Sequence, residues 1–265
     1  MTRVSVSIVS TGEGDRMEPC VASLAAQRFA GEMSVNVVVN GVDDRTAAVA
    51  RSCFPTARLL FRSRPFGFAE NHNAALDGSD FDFGLILNPD VVLEEDCVAQ
   101  LIDAMHRHAD AGMIVPLLSY PSGEPQRSAR RFPRLAGTIV RRTPLRRLMG
   151  DRLARTMHYL PPPDEDRTVD WALGACLFVR KSAWEQLSGF DPGYRPLYIE
   201  DVDLAWRLWH NGWTIWQTPS ARAMHEHQAA TDKNFFDRRT LWHMHGMVRF
   251  VRKHPRILLP GWYGK

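Results

Sequence analysis

A doubly wound, mostly parallel α/β sheet is the fold this sequence predicts, and three observations carry the prediction. Short strand-like runs alternate with helical patterns through the first 118 of 265 residues, the rhythm of successive βαβ units. One run, residues 35–39, is mostly β-branched, as a strand buried on both faces is. The segments that would follow the strands are polar, acidic or glycine-bearing, and such sheets bind their ligands there.

The elements follow in order. Residues 4–10 alternate valine, isoleucine and serine, a strand pattern, and residues 11–15 form a turn. Residues 17–28 have helical spacing, with Val21, Leu24 and Ala25 on one face. After the run at 35–39 come a loop at 40–44 and a helix at 45–53. Residues 57–61 give a third strand, 71–76 a helix, and 83–87 a fourth strand ending at Asn88-Pro89-Asp90. A helix at 94–108 and a strand at 112–117 complete this half. Beyond residue 118 the periodicity weakens into proline- and arginine-rich loops. An apolar stretch follows at 169–179, then a short helix and turn at 184–191. A helix over 204–210 stops at Asn211-Gly212, residues 213–216 are strand-like, and 235–253 form a terminal amphipathic helix.

Composition narrows the function classes. The formal net charge of +3 gives no global attraction to nucleic acid. Between Ser119 and Pro163, however, ten arginines face only Glu124 and Asp151, and the chain beyond Lys233 is basic and aromatic. Such blocks suit phosphates, anionic lipid or acidic glycans, or a solvated face. The four scattered cysteines form no CxxC pair and read mostly as buried thiols of a reducing compartment. The N-terminus has no apolar core of a signal peptide, and no stretch approaches the roughly 20 apolar residues that span a bilayer. The expectation is a cytoplasmic protein whose membrane contact, if made, is peripheral.

Four segments carry candidate chemistry. Glu200, Asp201 and Asp203 crowd three carboxylates into four positions ahead of a helical pattern. They read either as acids favoured by a helix N-terminus or as a cluster with a proton or cation to handle. Asp203 and Arg207 are spaced as an i,i+4 pair. Asn88-Pro89-Asp90 reads either as a turn or as a site where Asp90 binds Mg2+ or Mn2+ for a diphosphate. His225 and His227 are each a packed histidine, a metal ligand or a proton carrier. The segment from Gly67 and Phe68 to Asn73 is a helix cap or a ligand contact through backbone amides. The dinucleotide fingerprint and the P-loop are both absent, so metal or basic side chains would have to hold any phosphates.

In order and spacing the chain resembles the inverting family 2 glycosyltransferases of the GT-A fold, in their rhamnosyltransferase-like branch. The resemblance runs from Val4 to Thr231. Cys20-Val21-Ala22-Ser23-Leu24-Ala25-Ala26-Gln27 is similar to the family's Cys-x-x-Ser-Leu-x-x-Gln helix, and Asn40 to Thr46 resembles its Asn-x-Ser-x-Asp-x-Thr loop. Gly67-Phe68 with Asn73 matches a Gly-Phe…Asn segment, and Asn88-Pro89-Asp90 an Asp-x-Asp metal motif. Trp171-Ala172-Leu173-Gly174-Ala175 and Gly189-Phe190-Asp191 resemble acceptor-side segments, and Glu200-Asp201-Val202-Asp203 a Glu-Asp-x-Asp motif. Val39, Val42, Pro65 and Asn88 depart from the residues usual at those positions.

The resemblance implies a division of labour. Asp201 would be the general base, with Glu200 and Asp203 orienting the acceptor and its loop. Ser10, Thr11, Asn40, Asp44, Gly67, Phe68, Asn73 and Asn88 would line the donor site. Trp171, Gly174, Ala175, Glu200 and Arg207 would meet the acceptor. Asp90, with His225 or alternatively His227, would hold a divalent metal, Mg2+ or Mn2+. Residues 1–118 would form the nucleotide-sugar half, 119–230 the acceptor-binding and catalytic half, and 231–265 a basic helical extension. The donor would be a dTDP- or UDP-linked sugar, with dTDP-rhamnose first. The acceptor would be a saccharide or lipid-linked glycan at the inner face of the cell membrane. Two rivals remain. A sugar nucleotidyltransferase wants a basic glycine-rich loop after its first strand, where this chain has acidic residues 11–15. A glycan- or nucleic-acid-binding protein would rely on an arginine block that holds few stacking aromatics.

Overall fold

The computed structural model describes residues 1–41, 45–132, 159–226 and 238–258. Asp44, His227 and most of the arginine block therefore lie outside the described residues. The strands are β1 (Thr2–Ser10), β2 (Gly31–Asn40), β3 (Arg58–Arg62), β4 (Phe83–Leu87), β5 (Val91–Leu93), β6 (Ala111–Ser119), β7 (Ala129–Arg130), β8 (Arg167–Thr168), β9 (Trp171–Ala172), β10 (Cys176–Arg180) and β11 (Thr214–His225). The helices are α1 (Gly14–Ala25), α2 (Thr46–Cys53), α3 (Phe68–Leu76), α4 (Cys97–Arg107), α5 (Lys181–Leu187), α6 (Glu200–His210) and α7 (Arg238–Lys253), followed by a 3-10 turn at Pro255–Leu258.

The main sheet has the order β3-β2-β1-β4-β10-β6-β11-β5, with β8 added beside β11. The runs β3-β2-β1-β4 and β6-β11 are parallel, as the alternation of elements requires. β10 enters between them, antiparallel to both β4 and β6. A separate two-stranded ribbon pairs β7 with β9.

Helices cover both faces. On one, α1, α2 and α4 bury Met17, Val21, Leu24, Val49, Val98 and Leu101 against Val6, Ile8, Leu85 and Leu87. On the other, α3, α5 and α6 bury Leu76, Trp184, Val202 and Trp206 against Ile86, Leu177 and Val179. The serines of β1 do not face solvent. Ser7 is buried with its hydroxyl 2.7 Å from His72 Nδ1, and Ser5 accepts a bond from Asn36. Burial pushes His72 down to about 3, so it bonds as a neutral ring.

Three features were not expected. β5 forms directly after Asp90, and β11 continues far beyond residue 216, through an irregularity between Thr218 and Arg222. His225 thus ends a strand that the sequence pattern carried only to residue 216. Tyr198 and Ile199, just before α6, take left-handed backbone angles (φ 86° and 77°), which a β-branched residue adopts only under constraint. Cys20, Cys97 and Cys176 are buried free thiols and Cys53 is half-buried. Among the described residues, no helix is long and apolar enough to cross a membrane.

Candidate active site

Two loops bring the predicted residues together at the carboxyl end of β4. The Asn88 N–H donates to the Ala175 carbonyl at 2.9 Å, and the neighbouring Gly174 N–H donates to Asp201 Oδ2 at 3.2 Å. A short bonded path thus joins the Asn88-Pro89-Asp90 turn to the first turn of α6. A side chain at Gly174 would crowd this approach. A Cβ there would lie 3.2 Å from the Phe68 ring and 3.7 Å from Asp201 Cβ.

Asp90 meets His225 through the sheet. β11 runs antiparallel to β5 with His225 opposite Val91, and the Glu226 N–H donates to the Asp90 carbonyl at 3.0 Å. His225 Nε2 lies 3.4 Å from Asp90 Oδ1. His225 Nδ1 is 2.8 Å from Gln126 Oε1 and can donate to it. In that tautomer the Nε2 lone pair faces the carboxylate. Asp90 Oδ1 is buried and, among the described residues, has no hydrogen-bond partner. Two facing lone-pair donors, one left unsatisfied, fit a hard or borderline divalent cation. Among the described residues no cluster of three or more His, Cys, Asp or Glu would complete the shell alone, so phosphate oxygens or water would have to fill the rest.

Glu200 and Asp201 form a coupled pair. Burial, then the charge of Asp201, pushes Glu200 up to about 8, and Glu200 Oε2 has no hydrogen-bond partner among the described residues. Burial also raises Asp201, against the Val202 and Gly174 amides and the charge of Arg130. The pair therefore holds a proton more tightly than free carboxylates do. Arg130 was not singled out in the sequence beyond its place in the basic block. Its backbone pairs with Trp171, and its guanidinium lies 4.9 Å from the Trp171 ring and 5.0 Å from the Tyr159 ring. This fixes a cation beside the carboxylate pair.

Asp203 points the other way. It is fully buried and accepts bonds from Tyr194 Oη (2.9 Å), Arg207 Nε (2.7 Å), Lys253 Nζ (2.9 Å) and His254 Nε2 (2.8 Å). Burial alone would raise its pKa, but these donors hold it well below the usual carboxylate range. Asp203 thus ties α6 to the end of α7. Arg207, expected to meet the acceptor, is likewise bonded within the protein. Besides Asp203, its guanidinium donates to the Leu187 and Gly189 carbonyls.

The donor-side residues divide similarly. Ser10 is buried, 2.8 Å from Thr46 Oγ1, and accepts the Glu13 N–H. Asn40 clamps Phe66 with both ends of its amide and reaches Thr11 Oγ1 at 3.4 Å. Asn73 spends its amide on the Phe190 backbone, 117 positions downstream, and so braces that turn. Gly67 lets the chain pass Pro196, whose carbonyl would lie 2.9 Å from a Cβ at that position. Phe68 packs on Phe190 and His72. Trp171 is buried, with its indole N–H on the Arg131 carbonyl, and Ala175 is buried beside Asn88.

The class follows from the fold. The chain is a GT-A glycosyltransferase fold, and it aligns with the crystal structure of GalNAc-T7 with UDP, GalNAc and Mn2+ at a TM-score of 0.69, over 94% of this chain. That alignment, at 14% identity, spans only 48% of the length of GalNAc-T7. The chain belongs to the family described as glycosyltransferase like family 2, whose model matches residues 2–244. One curated relative is the N-acetylglucosaminyl-diphospho-decaprenol L-rhamnosyltransferase of Mycobacterium tuberculosis, 33% identical over 247 residues, 86% of this chain and 78% of the relative. Another is rhamnosyltransferase WbbL of Escherichia coli K12, 27% identical over 264 residues, 96% of this chain and 94% of the relative.

Proposed function

We propose that this protein transfers L-rhamnose, with inversion, from dTDP-rhamnose to a hydroxyl of a saccharide or lipid-linked glycan. The observation that carries the reading is the bonded path from Asp201 through Gly174, Ala175 and Asn88 to the Asp90 turn. It supports a base and a diphosphate site brought to the same end of β4. The names of the two relatives support the choice of sugar, and that of the mycobacterial one supports a diphospho-lipid acceptor.

The chemistry asked of the chain is simple. The acceptor oxygen forms a bond to the anomeric carbon while the bond from that carbon to the diphosphate oxygen breaks. The electron pair leaves with the diphosphate, and the hydroxyl proton passes to Asp201. Proton uptake suits a carboxylate whose affinity is raised by burial and tuned by Glu200 and Arg130. The Gly174 N–H and the helix start fix the orientation of Asp201. Asp90 and His225 would hold Mg2+ or Mn2+, which when bound supplies positive charge to a diphosphate. Thr11, Asn40, Gly67 and Phe68 border the donor side, and Trp171 with Gly174 the acceptor side. Residues 1–118, 119–230 and 231–265 would act as donor half, acceptor half and basic extension, at the inner face of the cell membrane.

A thermal-shift screen of dTDP, UDP, GDP and ADP, with and without Mn2+, tests the donor reading, and transfer of labelled rhamnose tests the reaction. The expected result is stabilisation by dTDP that depends on Mn2+, with rhamnose transferred. Release of pyrophosphate from a nucleoside triphosphate and a sugar phosphate would replace this reading with nucleotidyl transfer.

A further inference from the structure

The helix α7 has two different faces. Its inner face is glued to the catalytic half. Phe250 is buried 5.7 Å from the Trp206 ring, and Arg249 and Lys253 bond Asp191. A Cβ at Gly246 would lie 2.9 Å from the Tyr198 carbonyl, so the helix backbone approaches the strained turn before Glu200.

The outer face is apolar and, among the described residues, has no partner. Leu241, Met244 and Val248 are 64%, 48% and 50% exposed, although their spacing puts them on one stripe. His245 and Arg252 fall on the same side by that spacing, and both are exposed, as is Arg256 in the following turn. Residues 238–265 contain no acidic residue. Among the described residues, His245, Val248, Arg249, Arg252 and Lys253 line a groove along this helix. Aliphatic side chains rimmed by cations, on a stretch without acidic residues of its own, match a negatively charged bilayer. They fit a second copy of the same cationic surface less well.

We propose that α7 is the surface by which this protein lies on an anionic lipid bilayer. Leu241, Met244 and Val248 enter the acyl boundary, while Arg252 and Arg256 sit at the lipid phosphates. The proposal rests on the preceding reading only for its purpose, which is access to a lipid-linked acceptor. Because α7 also holds Asp203 and the turn before Glu200, a bilayer under its outer face fixes the catalytic helix relative to the membrane plane.

Co-sedimentation of the full chain with vesicles tests this. Binding is expected to vesicles of phosphatidylglycerol mixed with phosphatidylcholine, to be weaker on phosphatidylcholine alone, and to fall as salt rises. The triple change L241S/M244S/V248S should weaken binding at least about tenfold. R252E/R256E should weaken it by about fivefold or more per arginine, only on the anionic vesicles. Thermal unfolding should be unchanged in the triple variant, since those side chains are exposed. Transfer to a water-soluble acceptor should be unchanged as well. Failure of the wild type to bind anionic vesicles overturns the proposal, as does unchanged binding by the triple variant. Dimerisation in vesicle-free solution that the triple variant abolishes overturns it too, in favour of a second copy. If vesicles bind as expected but no sugar is transferred, the membrane surface stands and the rhamnosyl reading fails.

Discussion

Asp203 offers the sharpest quantitative test of how this active site is held. Asp203→Ala removes a fully buried carboxylate and strands four donors: Tyr194, Arg207, Lys253 and His254. Breaking a buried charge network by deleting one partner costs about 3–5 kcal/mol. Lys253 is a third exposed and keeps Asp191, so its share is screened and small. Arg207 and His254 are far more buried and dominate the loss. We expect about 3–4 kcal/mol by urea denaturation at pH 7, or roughly 10 °C in Tm for a chain of this size. Asp203→Asn, which keeps the shape but not the charge, should cost about half as much. The sign of the pH dependence follows from the depressed pKa. Its stabilisation is fully present above the unfolded value, near about 3.9, and is lost as pH falls through the folded value. The gap between wild type and Asp203→Asn should therefore be constant above about pH 5 and shrink below about pH 4. A loss under about 1 kcal/mol for Asp203→Ala, or a gap that widens in acid, refutes the network.

Other outcomes follow from the same geometry. The acidic limb of kcat/KM should reflect the Glu200–Asp201 pair and lie above the ordinary carboxylate range, with activity rising as the pair loses its proton. Arg130→Gln should move that limb to higher pH, because Arg130 lowers the proton affinity of Asp201. Glu200→Gln should move it lower by removing the like charge. Chelation by EDTA should abolish transfer. His225→Ala should raise the Mn2+ concentration needed by about tenfold or more, measured by metal titration of the rate. Asn73→Ala should cost about 2 kcal/mol in urea denaturation while leaving the Kd for dTDP unchanged, because its amide braces Phe190.

Much of the frame was legible in the sequence because periodicity reports burial. Phe83–Leu87 was expected residue for residue, and the alternation of β1 and α1 needed no tertiary knowledge. What escaped was set by distant partners. Nothing local says that β10 enters antiparallel between β4 and β6, or that β11 runs on until His225 meets Val91. The same limit applies to side chains. Asp90 and the Glu200–Asp201 pair were visible as acids after a strand and at a helix start. Whether Asn73 faced a ligand or a backbone 117 positions away was not. Asp203 read as part of a catalytic cluster, yet Lys253 and His254, which claim it, come from the last described helix and turn. Arg130 was one of ten arginines until the pairing of β7 with β9 set it between two aromatic rings.

The central claim is that Asp201 takes the proton of the acceptor hydroxyl. Single-turnover rhamnose transfer by Asp201→Asn, beside calorimetric binding of dTDP with Mn2+, tests it most directly. The account predicts a rate lower by about 10²–10⁴-fold with nucleotide affinity within about twofold of wild type. Transfer by Asp201→Asn within tenfold of the wild-type rate would contradict it.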